Sequence, residues 1–222
     1  MAGTEQATGG LDWRDGRVPV SRQFDDPYFS LAGGLAEARH VFLAGNGLPA
    51  RLRQGFQIAE LGFGTGLNLL ATHLANPGVA IRYTSFEAYP LSSVDIAKAL
   101  AAFPQALAVA GTFLQAWEAG SRRFDLGQIA VEVIEGDARE TLLEWRGLAD
   151  AWYLDGFSPA KNPQLWSQEL MAEVARHTAP GGTFATYSAA GHVRRGLAAA
   201  GFAVERRAGF AGKRHMSAGV LA

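Results

Sequence analysis

Two kinds of apolar spacing alternate along this chain from residue 57 onward. Short continuous apolar runs at 57–61, 80–86, 130–134, 151–154, 183–187, 202–206 and 216–221 read as buried strands. Between them lie stretches with helical spacing at 67–75, 91–102, 138–145, 163–177 and 191–200. The helix over 163–177 carries Pro163 at its start, where proline's missing N–H costs nothing. Upstream, 31–43 reads as a helix running into a Gly-Asn-Gly turn at Gly45, Asn46 and Gly47.

Strands separated by helices imply parallel pairing through right-handed crossovers. The last two runs lie too close for a helical crossover and should pair antiparallel. The predicted fold is therefore α/β and Rossmann-like. It is a mostly parallel seven-stranded sheet with an antiparallel C-terminal hairpin, an arrangement that separates methyltransferases from dinucleotide dehydrogenases. Residues 1–17 are expected as a flexible lead-in, and 18–222 as a single domain that includes an N-terminal arm.

Composition narrows the chemistry. The 222 residues carry a net charge of −1 and no cysteine. Thiol catalysis, cysteine-based zinc sites and disulfides are excluded, and a cytoplasmic location with no membrane partner is expected. No apolar run approaches the ~18 residues of a membrane span. His40, His73, His177, His192 and His215 have no metal-ligand spacing, so no metal is expected. Near-neutral charge gives no general attraction for nucleic acid. Any such contact must come from local pairs such as Arg51 with Arg53, Arg194-Arg195, Arg206-Arg207 and Lys213-Arg214, which would serve equally as solvated faces.

The first strand ends in Glu60-Leu61-Gly62-Phe63-Gly64-Thr65-Gly66. Glycines there let the backbone turn sharply and approach a ligand, or simply make a tight strand–helix turn. The third glycine comes one residue earlier than in the dinucleotide fingerprint. An acid at the strand end repels phosphate but suits a cationic ligand such as S-adenosylmethionine. Glu87 ends the second strand, where a carboxylate can take both ribose hydroxyls. Asp137-Ala138 follows the third strand, within reach of an adenine amine.

Asp155-Gly156-Phe157-Ser158-Pro159 follows the fourth strand and faces the same cleft. It is similar in kind to the Asp/Asn-Pro-Pro-aromatic loop of amino-directed methyltransferases. A carboxylate there can take the proton that an alkylamine must shed before it attacks, or it can merely cap the loop. Phe157 could stack on a base. Tyr28 and Phe29 could do the same or pin the arm to the core.

The segments Phe24-Asp25-Asp26-Pro27-Tyr28-Phe29-Ser30, Ala59 through Asn68, Asp155-Gly156-Phe157-Ser158-Pro159-Ala160-Lys161-Asn162-Pro163 and Gly209 through Met216 resemble the methyltransferase domain of the bacterial tRNA 5-methylaminomethyl-2-thiouridine biosynthesis proteins. The resemblance runs from about Val18 to the end of the chain. It implies methylation of the aminomethyl group on wobble 5-aminomethyl-2-thiouridine in tRNA, with S-adenosylmethionine as cofactor. It makes Glu60, Gly62, Gly64, Gly66, Asn68, Glu87, Asp137, Ala138 and Asp155 cofactor contacts and Asp155 the catalytic carboxylate. Tyr28, Phe29, Phe157, Lys161, Asn162 and Trp166 become candidates for the acceptor side. The flavin-dependent oxidoreductase half of many family members has no counterpart here, so a separate enzyme of that kind is expected upstream. Fold alone leaves a small-molecule N-methyltransferase or an aminopropyltransferase as the alternative.

Overall fold

The computed structural model describes residues 10–30 and 33–222. The first nine residues of the expected lead-in lie outside the described residues, as do Leu31 and Ala32 at the start of the expected first helix.

Eleven strands are described, in two sheets. Strands β1 (Leu11–Arg14), β2 (Val18–Ser21) and β3 (Asp26–Pro27) form a small antiparallel sheet. The expectation of a flexible lead-in to residue 17 is corrected here, because Leu11–Arg14 is hydrogen-bonded along β2. Helix α1 (Gly34–Ala38) continues into a π-helical stretch, Arg39–Leu43, and a 3-10 turn, Ala44–Asn46.

The central sheet is built from β4 (Gln57–Leu61), β5 (Ile81–Glu87), β6 (Arg123–Leu126), β7 (Ile129–Glu135), β8 (Ala149–Leu154), β9 (Thr178–Thr186), β10 (Phe202–Ala208) and β11 (His215–Leu221). Their order across the sheet is β10-β11-β9-β8-β4-β5-β7-β6. The strands from β9 to β7 run parallel. The last strand, β11, lies antiparallel between β9 and β10. All seven expected strands are present, and β6 adds an eighth at the edge, folded back antiparallel on β7.

The helices between them are α2 (Leu67–Ala75), α3 (Ser93–Leu100), α4 (Pro104–Leu107), α5 (Gly111–Glu118), α6 (Ala138–Glu144), α7 (Gln168–Arg176) and α8 (Gly191–Ala199). The helix expected over 163–177 is broken. Pro163–Trp166 is a 3-10 turn, and Ser167 opens α7 by accepting the Leu170 amide N–H on its hydroxyl.

Side chains alternate across the strands and fill a core on each face. Tyr153 joins Leu69, Ile96 and Phe113 on the face covered by α2, α3 and α5. Its neighbour Trp152 joins Leu142, Met171 and Leu197 under α6, α7 and α8. Every residue of β4 is buried, as a strand covered on both faces requires. Among the described residues no helix is long and apolar enough to cross a membrane, and no cluster of His, Asp or Glu could hold a metal.

Candidate active site

The carboxyl ends of the parallel strands open into a cavity of about 630 Å³. This is where open α/β sheets place their ligands. Gly62, Gly64, Asn68, Glu87, Asp137, Ala138 and Asp155 all line it, as expected from the sequence, together with Tyr28, Phe29, Phe157 and Asn162.

The glycines answer to the space around them. Gly62 has φ 83°, and a Cβ there would sit 3.1 Å from the Gly156 Cα. The loops after β4 and β8 therefore touch backbone to backbone. Gly64 has φ 54°, and a Cβ would meet the Tyr28 ring at 3.2 Å. Positive φ and close approach both call for glycine. Gly66 is not in the wall. It precedes the first residue of α2, and a Cβ there would strike Phe113.

Glu60 also departs from its expected place, since it does not line the cavity. It is fully buried beneath the wall, paired in register with Ser85 of β5. Ser85 Oγ donates to its Oε2 at 2.7 Å, and Asn68 Nδ2 donates to its Oε1 at 2.9 Å. The same Asn68 nitrogen donates to Asp155 Oδ2 at 2.7 Å, and the Gly156 amide donates to Asp155 Oδ1 at 2.8 Å. Asn68 thus spans two carboxylates, only one of which faces the cavity. Loss of water around them pushes both upward, Glu60 to about 8 and Asp155 to about 7, against the opposing hydrogen bonds.

Glu87 accepts the Gly64 N–H on Oε2 at 2.8 Å and the Tyr89 N–H on Oε1 at 2.7 Å. Burial raises its pKa. Asp137 is held differently. It caps α6 by accepting the Arg139 N–H at 2.9 Å, and it pairs with the Arg139 guanidinium, which lowers its pKa.

The arm preceding α1 forms one wall. Phe24 stacks on Phe157 with ring centroids 4.7 Å apart, and Tyr28 meets Phe157 edge-on at 5.0 Å. Asp26 Oδ2 accepts the Ser158 N–H at 2.8 Å. Phe29 is buried and packs edge-on against Phe103, so it anchors the arm more than it presents a face.

Two expected acceptor residues lie elsewhere. Lys161 is outside the cavity wall and pairs with Asp25 at 2.7 Å. Trp166 is buried, also outside the wall, and its Nε1 donates to the Phe157 carbonyl at 2.9 Å. It shapes the Asp155 loop from behind, while Leu165 faces the cavity in its stead.

Three further residues reach the acceptor side from distant parts of the chain. Glu37 on α1 pairs with Lys213 at 2.6 Å. The Lys213 ammonium lies 4.6 Å from the centroid of the Tyr187 ring, and Tyr187 Oη donates to the Gly156 carbonyl at 2.8 Å. Among the described residues, five carboxylates line the cavity (Asp26, Glu37, Glu87, Asp137 and Asp155) against two cations, Arg139 and Lys213. Such a wall suits cationic ligands.

Comparison with known proteins agrees with this chemistry. Residues 103–222 match a family described as S-adenosyl-L-methionine-dependent methyltransferase. The chain is 46% identical to the tRNA 5-methylaminomethyl-2-thiouridine biosynthesis bifunctional protein MnmC of Aeromonas hydrophila, over 94% of this chain and 35% of that protein. It is 44% identical to the protein of the same name from Caulobacter vibrioides, over 95% of this chain and 38% of that protein. The chain therefore spans little more than a third of the length of these relatives. Its fold is that of MNMC2 from Aquifex aeolicus, with a TM-score of 0.76, 24% identity, and coverage of 97% of this chain and 72% of that one.

Proposed function

This chain belongs to the S-adenosyl-L-methionine-dependent methyltransferase family, and from that premise we propose that its acceptor is the primary amine of a 5-aminomethyl-2-thiouridine at the wobble position of tRNA, which becomes 5-methylaminomethyl-2-thiouridine. The observation that carries the reading is Asp155, half-buried at the cavity wall, held by Asn68 and Gly156, and raised to about 7. The likeness to the MnmC proteins supports the choice of acceptor.

The residues present fit the cofactor. Gly62 and Gly64 put bare backbone into the cavity wall at positive φ, where a Cβ would strike Gly156 and Tyr28 and push the loop out of place. On this reading Glu87 meets the ribose hydroxyls and Asp137 with Ala138 the adenine, all three lining the cavity, and the excess of carboxylates suits a molecule with two positive centres. When bound, the cofactor supplies a methyl group on a positively charged sulfur.

Asp155 takes the proton that the acceptor's ammonium must lose, and a carboxylate near 7 can both accept and release it at neutral pH. Phe157 and Tyr28 present aromatic surface to the acceptor's base. The aromatic wall excludes water, which strengthens each hydrogen bond to the amine. On this reading the protein acts in the cytoplasm. Its primary amine comes from a separate flavin-dependent oxidoreductase or directly from the preceding modification.

The test is nucleoside mass spectrometry after incubation with S-adenosylmethionine and tRNA bearing the aminomethyl group. A gain of one methyl on that nucleoside is expected. Methylation of free small amines, with the tRNA untouched, would remove tRNA from the proposal.

A further inference from the structure

The Glu37–Lys213 pair lies in the cavity wall, and none of the roles above uses it. Glu37 sits on α1 with its side chain only 11% exposed, and its one ion-pair partner among the described residues is Lys213. Lys213 comes from the loop between β10 and β11, where Ala211 and Gly212 both have positive φ. Its side chain is 45% exposed. Burying an ionised carboxylate is costly unless something neutralises it, and here the cation comes from an exposed loop.

The place that the Lys213 ammonium occupies is itself informative. A carboxylate holds it on one side, and the Tyr187 ring face lies 4.6 Å away. Carboxylates and aromatic faces together make a site for alkylammonium groups. Tyr187 is bonded to Gly156, the residue next to Asp155. Behind the dominant effect of burial, Asp155 feels the charges of both Glu37 and Lys213.

A lysine head group and an aminomethyl group are the same chemistry, a primary ammonium on a methylene. We infer that Glu37 is a second acceptor-binding carboxylate, and that Lys213 holds from within the chain the place that the acceptor's ammonium takes. This rests on the reading of the site as an amine methyltransferase. Glu37 and Asp155 then grip the amine from two directions. Once Asp155 has taken the proton, the nitrogen keeps two N–H bonds, one for the Glu37 carboxylate and one for a carboxyl oxygen of Asp155, and one lone pair for the methyl group.

The competing explanation is a latch that merely ties the hairpin loop to α1. The two differ in sign. If Lys213 competes for Glu37, removing the lysine frees the site, whereas removing the glutamate empties it. If the pair is a latch, both removals loosen the same loop. Kinetics on the aminomethyl tRNA should be measured for the full chain, E37Q and K213M, with cofactor binding followed by calorimetry and folding by thermal melting. E37Q should raise KM at least ~10-fold with kcat within ~3-fold, the pattern of lost ground-state binding. K213M should lower KM or leave it unchanged, and both variants should bind the cofactor normally. An unchanged KM in E37Q overturns the inference, and so does a KM raised in both variants. Should E37Q not fold, a raised KM in K213M alone overturns it. If the unmodified chain methylates no aminomethyl tRNA, the proposed function falls and this inference with it. If that chain is active and indifferent to Glu37, only the inference falls.

Discussion

Asn68 donates to Asp155 at 2.7 Å through the same amide nitrogen that donates to Glu60 at 2.9 Å. Both N–H bonds are thereby spent on carboxylates, which fixes which way the amide points. Asn68 lies in the first turn of α2, just beyond the glycine loop, so one residue ties that loop's helix to the Asp155 loop. Asn68→Leu should remove the donor that favours the ionised form of Asp155. A hydrogen bond to a charged group contributes ~1.5–3 kcal/mol, equivalent to ~1–2 pH units. The acid limb of the kcat/KM profile should therefore move upward by about that much. An unmoved limb would show that Asn68 only supports the loop.

Asp155→Asn should keep cofactor affinity and lose ~10²–10⁴-fold in rate at neutral pH, the usual range for one acid–base group. The unmodified protein should gain rate as pH rises through about 7, where the Asp155 carboxyl ionises. The variant should recover rate only as the amine loses its own proton to solvent, near ~10 by analogy with lysine. Initial rates measured from roughly pH 6 to roughly pH 10 read both effects. Near-normal turnover of the variant at neutral pH would return Asp155 to capping its loop.

Glu60 links the site to stability. Its folded pKa of about 8 lies above the ordinary glutamate value of 4.5, because burial disfavours its charged form. Below the unfolded pKa it is protonated in both states, and its contribution to stability is fully present. As pH rises the unfolded chain releases the proton first, so stability falls until the folded pKa is passed. Glu60→Gln preserves much of the bonding pattern without the charge. Thermal melting from roughly pH 5 to roughly pH 9 should show the unmodified protein losing ground steadily against the variant. A constant difference would mean that Glu60 is ionised throughout.

Much of this site was legible in the sequence, for a topological reason. A parallel sheet delivers the residue after every strand to one edge, so Gly62, Gly64, Glu87, Asp137 and Asp155 could be placed from strand ends alone. Spacing along the chain says less within the loops. Lys161 and Trp166 lie close to Asp155 in sequence yet stand outside the cavity wall, because the segment from Ser158 to Trp166 turns back on itself and ends in a 3-10 coil. Strand β6 went unread because Arg123 and Asp125 interrupt it and, as an edge strand, it needs no buried run. Glu37 and Lys213 stand 176 residues apart, and no local pattern joins them. The signals that existed were an acid on the apolar stretch 35–43 and the lysine within the C-terminal segment that carried the family resemblance.

Gly64→Val should disable cofactor binding. The position has φ 54°, and a Cβ would press on Tyr28 at 3.2 Å. A branched side chain at positive φ costs ~1–3 kcal/mol locally. The larger effect falls on the glycine loop, which in the proposed function lies against the cofactor. Calorimetry should show S-adenosylmethionine affinity reduced at least ~30-fold, about 2 kcal/mol, with the circular dichroism spectrum retained. Normal affinity would mean that the loop has slack which its packing against Tyr28 conceals.

The charge of the cavity also sets what the acceptor can carry. Among the described residues five carboxylates face two cations there, and both cations are engaged, Arg139 by Asp137 and Lys213 by Glu37. An aminomethyl group enters as a cation and gains from this wall. A carboxymethylaminomethyl group brings the same nitrogen with a carboxylate attached. That carboxylate must give up its water and lie near Asp155 and Glu37, where a like charge is costly. Among the described residues, the cation on the acceptor side that could receive it is Lys213, already paired with Glu37. The two tRNAs should therefore differ at least ~100-fold in kcat/KM, about 2.7 kcal/mol, in favour of the primary amine. Lys213→Met should widen the gap by removing the one cation that could receive the extra carboxylate. Digestion to nucleosides after parallel incubations with S-adenosylmethionine measures both. Equal conversion of the two forms by the unmodified protein would mean that charge in this cavity does not choose the acceptor.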